Sequence, residues 1–530
     1  MSVPNITANQ LMLWAALLGG LLLAVLLGSA VGSSDMRFVA AACGLIPLLV
    51  ILVKLRTNIW VLVPIGWFLS GRLPWLPLPF AVRDLCCMVV ILSFAAFVMM
   101  RIVPWKRKLG SLDYLVFINL AYLMTVFLRN PVGVWAFQSQ MVGGRPYFEI
   151  TLAFMVFLVL SRATLTQSIA NIFPFLFIIP AGIAGALDVI ARVIPQTSYP
   201  IAMFYSGAGS MSDTSALQAE AQIGESRLTG VKDLGMLGVL ALCSRYNPIT
   251  LLSPIHPLRL VLFLATIGII FLSGFRSALV FALVSFALGA VLRRRMADLW
   301  ITAGVMILGL MLLISVQGNI LRLPATMQRS LSWLPGDWDT EVLNDAQGSS
   351  QWRFDMWIWA WNDERIFRDK IWGQGFGFTY DEMNIMASAL LNGSSGPAFI
   401  GSSAQESQMI TGSFHSGPLS SIKFIGIVGF ALYYSLMVYM GIYALQLCRR
   451  AYATKAFTLA LFICIPIIYE PFNYIFVFGA LDSNYSQILF WAGLLNMANN
   501  YLDGLVLTGR TATTKSVAVS QSSMLQPAGT

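Results

Sequence analysis

The sequence predicts an all-α integral membrane protein: a polytopic helical bundle of about 12–14 transmembrane helices with one large extracytoplasmic loop containing short interfacial helices. Three observations predict it. Of 530 residues, 57% are hydrophobic and only 11% charged, too little polar surface to keep a soluble globule dispersed. Apolar runs of roughly 15–25 residues recur along the chain, the length that crosses a bilayer core. The basic clusters between these runs all fall on one side if every run crosses, as the positive-inside bias requires.

Taken in order, the runs lie near 11–31, 38–53, 58–70, 85–100, 113–128, 148–161 and 169–193, then 232–244, 257–273, 277–292, 299–316, 420–446, 456–473 and 484–500. The first follows an N-terminus without Lys or Arg and exceeds a signal-peptide core, so it reads as a retained span. The runs at 58–70 and 232–244 are short, yet deleting either would reverse its flanks and break the charge pattern. "KLR" at 54–56, "RIVPWKRK" at 101–108, Arg162, Arg245, "RRR" at 293–295 and "RRAYATK" at 449–455 then share the cytoplasmic face, with both termini. The expected localisation is a bacterial inner membrane, with the active site facing the exterior.

This divides the chain into N-terminal spans (1–316), a large external loop (317–419), C-terminal spans (420–502) and a Ser/Thr/Ala-rich tail (503–530) expected to be disordered and cytoplasmic. The loop carries six Lys/Arg against eleven Asp/Glu and is acidic overall. Its stretch "SSQWRFDMWIWAWNDERIF" puts Trp357 and Trp361 on one helical face and reads as a helix at the membrane interface. A loop of this length inside a membrane bundle is usually functional.

Composition excludes several classes. The net charge of +9 follows from topology and calls for no nucleic acid. All six cysteines sit in or beside apolar runs without a CxxC, so neither a disulfide framework nor a zinc site is indicated. Asp337 and Asp339 in "PGDWDT" have a DxD spacing, but the segment also reads as a plain turn, and no metal or other cofactor is expected.

The chemistry-bearing residues gather on the external side. Arg145 and Arg227 each precede a span, Arg276 sits in a tight turn between two spans, Arg353 lies in the Trp-rich stretch, and His415 closes the loop. Arginines held at a hydrocarbon boundary suit an anion that itself lives at the interface, because guanidinium groups bind phosphate bidentately and stay charged. Each is also readable as a snorkelling anchor, and His415 as a helix-start residue. His256 lies at the cytoplasmic end of its span and reads as structural. Glu470, near the outer end of a span, is expected to pair with one of the arginines. The glycines of "GQGFGF" (373–378) allow the backbone to turn tightly or to approach a ligand.

In their order, "RLPWLPLPFAVRDL", "ESRLTG", "LSGFRSAL", "RFDMW", "WGQGFGF" and "FHSGPLSSIKFIGIVG" resemble the O-antigen ligase and polymerase superfamily over about residues 60–475. His415 is followed by Gly426 at that family's spacing; where the family has Leu four places after its Arg, Val280 follows Arg276. The resemblance implies a glycosyltransferase whose donor is an oligosaccharide on undecaprenyl pyrophosphate and whose acceptor is a glycan or lipid A-core, with polysaccharide-export proteins as possible partners. It further implies that Arg276 and Arg227 hold the pyrophosphate, with Arg353 and Arg145 as second choices. His415 would take the acceptor proton, an imidazole near pKa 6.5 suiting that task; Asp355 and Glu406 are alternative bases. Ligase and polymerase are not separated. Competing readings are a flippase of lipid-linked saccharides, which needs charge along mid-membrane positions, and a non-catalytic scaffold in which these residues are dispensable.

Overall fold

A computed structural model describes residues 55–71, 80–101, 103, 109–133, 141–202, 204–205, 228–318, 320–391 and 403–524. The runs at 11–31 and 38–53, and Arg227, lie outside these. The protein is an all-α polytopic membrane protein. Among the described residues, six helices are long and apolar enough to cross a membrane, and further apolar helices are shorter.

The N-terminal half comprises α1 (Leu62–Phe68), α2 (Val82–Met99), α3 (Ser111–Arg129), α4 (Arg145–Leu160), α5 (Phe175–Val193), α6 (Thr229–Arg245), α7 (Pro257–Leu272), α8 (Arg276–Leu292) and α9 (Met296–Val316). Their ends follow local chemistry. Asp84 and Asp113, each in a first turn, accept the N–H of Ala81 (2.9 Å) and Gly110 (2.7 Å), donors that a helix start otherwise leaves unmade. Buried Asp188 of α5 does the same across a helix pair, accepting Gly230 N–H at 2.5 Å. That contact is close because Gly230 lies against Ala184, where a Cβ would come within 2.6 Å of backbone. At the far end of α6, buried Arg293 donates to the carbonyls of Cys243 (2.7 Å) and Ser244 (2.6 Å), a C-terminal cap from a neighbouring helix.

The region 317–419 folds into short helices: α10 (Ala325–Leu331), α11 (Thr340–Asn362), α12 (Tyr380–Leu391) and α13 (Ser403–Ile410). It has its own small core of Met356, Ala360, Ile366, Phe367, Met409, Ile410 and Phe414. The tryptophan face is therefore divided. Trp357 turns inward and donates to Phe414 O at 2.8 Å; Phe354 packs on its ring, Trp361 packs on Phe367, and both, with Ile358, remain partly open to the surroundings.

The chain closes with α14 (Gly417–Ala451), α15 (Phe457–Phe476) and α16 (Leu481–Met524), the last continuing into the Ser/Thr/Ala-rich segment. α14 and α15 pack along each other, and α16 lies against α4. Tyr433, Tyr474 and Tyr485 stack at the centre of this core, with centroids 4.8 and 5.5 Å apart. α9 is almost wholly exposed and apolar; its 21 residues span about 31 Å, the thickness of a bilayer core.

Candidate functional site

The segment leading to His415 is held from three directions. Lys423 of α14 is buried and donates Nζ to the carbonyls of Met409 and Ile410, both at 2.6 Å, at the end of α13. Phe414 is fixed by Trp357 and stacks on Phe367. Just beyond His415, Gly417 lies so close to Tyr474 and Gly479 that no side chain fits between them. His415 itself has φ +53°, a left-handed conformation that non-glycine residues adopt at a cost. Its ring lies 5.3 Å from that of Phe478. Replacing Lys423 with Met leaves two buried carbonyls unmade, so we expect a loss of about 1–3 kcal/mol in stability, read as earlier proteolysis within 317–419.

Of the "GQGFGF" glycines, Gly373 abuts the backbone of Ile425 and Gly426, while Gly375 lies against Tyr147 and Gly377 against Val132 and Met141. α14 breaks at Gly426 (φ +72°, ψ 175°), and the chain 370–375 docks into the break. Gln374 N–H and Gly375 N–H donate to Lys423 O and Phe424 O, while Ile427 N–H donates to Lys370 O. Tyr122 of α3 closes the junction by donating to Ile425 O at 2.8 Å.

Phe478 lines a cavity of about 640 Å³ between α1, α6, α8, α15 and α16. Phe275 and Ser277, the neighbours of Arg276, line it as well. Arg276 opens α8 after a turn made by Gly274 (φ +73°), and its Nε donates to Arg329 O at 3.1 Å. Arg329, on α10, is only 7% exposed. Arg353, on α11, has its Nε buried without a hydrogen-bond partner. Burial first, and then the charge of Arg329, push the Arg353 guanidinium below its usual range. Arg276 of α8 thus holds the backbone of Arg329 on α10, whose charge acts on Arg353 of α11, and the last two come from a loop that is acidic overall. The sequence reading named Arg276 and Arg353 but passed over Arg329, whose only sequence signal is position within a seven-residue helix.

Other expected residues have different surroundings. Arg145 is charge-matched: its Nε contacts Glu149 at 2.7 Å and its Nη2 contacts Asp84 at 3.4 Å, while Arg83 pairs with Glu149 at 2.5 Å. This quartet lies beyond the Trp67–Phe490 stack that separates it from the cavity. Asp339 accepts from Gln328 at 2.8 Å, and no cluster of three or more metal-ligating side chains occurs among the described residues. Asp355 accepts from Gln351, and Glu406 pairs with Arg365 at 3.5 Å. Against expectation, among the described residues no arginine pairs with Glu470; Asn484 and Asn473 donate to it at 2.6 and 3.3 Å. A second hollow, about 670 Å³ along the outer face of α14, is lined by apolar and aromatic residues and one serine, with no ionisable acid or base.

Residues 261–434, about a third of the chain, match the family described as O-antigen ligase. The match runs from α7 into α14 and encloses Arg276, Arg329, Arg353, His415 and Gly426. No curated protein matches the chain. With the helical membrane architecture, this match supports placing the chain in an O-antigen ligase/polymerase-like family.

Proposed function

We propose that the protein transfers a glycan from undecaprenyl pyrophosphate to an acceptor hydroxyl at the outer face of the inner membrane, as a ligase or as a polymerase of repeat units. The observation that carries this reading is the grouping of Arg276, Arg329 and Arg353, together with a cavity lined by Phe275 and Ser277 on either side of Arg276 and by Phe478 beside the His415 ring. Like charges gathered at a partly desolvated site are stabilised by an anion, and Arg353 keeps a buried donor unmade. In the step, His415 takes the proton of the acceptor hydroxyl as its oxygen bonds to the anomeric carbon. The bond from that carbon to the pyrophosphate oxygen breaks, and the lipid pyrophosphate leaves with the electron pair. The arginines stabilise the charge that grows on it. Export proteins, if any, would receive the product.

The test is surface-glycan restoration in a strain lacking the gene, with lipid-linked donor measured alongside. Arg353→Ala is expected to lower transfer by about 10–150-fold, the worth of a hydrogen bond to a charged group. Arg353→Lys recovers part of it, since an ammonium supplies charge without the bidentate fork. Donor accumulates in both variants. Full glycan in Arg353→Ala would sink the anion site, and a product of capped acceptor or of long chains separates ligase from polymerase.

A further inference from the structure

The cavity has two polar walls that the transfer step does not use: Lys232 and Asp233 of α6, which pair with each other at 3.2 Å, and a group on α15 and α16. In the second, Glu470 lines the cavity from α15, and Asn473 and Asn484 beside it donate one amide hydrogen bond to each carboxylate oxygen. The orientation of Asn484 is set from behind: buried Tyr433 donates to its Oδ1 at 2.5 Å, which turns the amide nitrogen toward Glu470. Among the described residues no Lys, Arg or His forms an ion pair with Glu470. Each carboxylate oxygen accepts two hydrogen bonds, so acceptor capacity remains for a ligand.

The choice of occupant follows from the Glu470 wall. An isoprenoid chain in this space would leave a carboxylate facing hydrocarbon with two neutral amides as its only partners, a costly arrangement within a membrane. A pyranose offers hydroxyl donors on its rim and apolar C–H faces. The rings of Tyr469, Phe281 and Phe478 on the cavity lining provide the surface those faces need. A volume of about 640 Å³ is also that of an ordinary small-molecule site.

Resting on the glycan-transfer reading, we propose that this cavity is a saccharide subsite and that Glu470, aligned by Asn473 and Asn484, selects the sugar by accepting hydrogen bonds from its ring hydroxyls. Glu470 lies outside the matched segment 261–434, while Phe281, which offers part of the stacking surface, lies inside it.

The experiment is saturation-transfer NMR on the full chain in lipid nanodiscs, with methyl glycosides of glucose, galactose, mannose and rhamnose as probes. At least one is expected to receive saturation at its ring protons. Glu470→Gln lowers that binding about tenfold or more. Glu470→Asp keeps the charge but withdraws it by one methylene, and changes the rank order of the glycosides; a purely structural carboxylate would leave that order intact. Binding is read here without turnover, so failure of this subsite and failure of the transfer reading, which is scored by donor turnover, are told apart by separate measurements. Preloading with undecaprenyl-pyrophosphate-linked oligosaccharide tells whose sugar it is: retained binding assigns the acceptor's ring, displacement the donor's. Absence of transfer to all four glycosides, or unchanged binding and rank order in both Glu470 variants, would overturn the proposal.

Discussion

His415→Asn abolishes most glycan transfer, a fall of about 10²–10⁴-fold, while the protein accumulates in the membrane at the wild-type level. Asparagine is the informative substitution because His415 has φ +53°. Asn tolerates that region about as well as His does, whereas alanine would confound lost chemistry with added backbone strain. The ring's position above Phe478 does not depend on the imidazole alone. Lys423, Trp357 and the Gly417–Gly479 contact hold the chain on both sides. The measurement is turnover of lipid-linked donor in membrane vesicles at matched expression. Wild-type turnover by the Asn variant would remove His415 from the proton transfer and return it to the role of a helix-start residue.

Gly426→Ala is expected to prevent accumulation of folded protein. At φ +72° and ψ 175° the residue occupies a region that only glycine visits freely, at about 1–3 kcal/mol for any other residue. A Cβ there would also run into Ile371 O, and would lie 2.6 Å from Gly373 N. Gly373 (φ +83°) is equally hemmed in, at 2.5 Å from Gly426 N, so neither strand of the junction is free to retreat. The control is Gly268→Ala in α7, where nothing lies within 4 Å and helix propensity favours alanine. Membrane yield and protease resistance of 317–419 report both. Normal yield for Gly426→Ala would mean that the 370–375 segment docks elsewhere. The pairing of His415 with Gly426 thereby acquires a mechanical reason: the glycine admits the backbone that anchors the loop, eleven positions after the residue the loop presents.

The helical membrane class was readable from composition and period because bilayer thickness sets element length directly. Arg276 and His415 were readable as candidates because ionisable groups are few here and the charge pattern assigned each a side. Arg145 shows where that reasoning stops. Beside a span it looks like Arg276, but Asp84, 61 positions earlier, and Glu149 neutralise it. Glu470 shows the reverse, an acid expected to find an arginine that instead meets two amides. Arg329 carries no local pattern at all.

The amino-acid sequence by itself determined that the chain is a helical membrane protein, where its apolar runs lie, and that its scarce ionisable residues flank them. Those properties depend on hydropathy and on spacing along the chain, which are local. Which arginines converge, which are neutralised, and which acid faces the cavity were decided only by tertiary structure. Pairing at 3 Å between residues 53 positions apart, as between Arg276 and Arg329, depends on how helices pack, and packing is a property of all the surfaces at once.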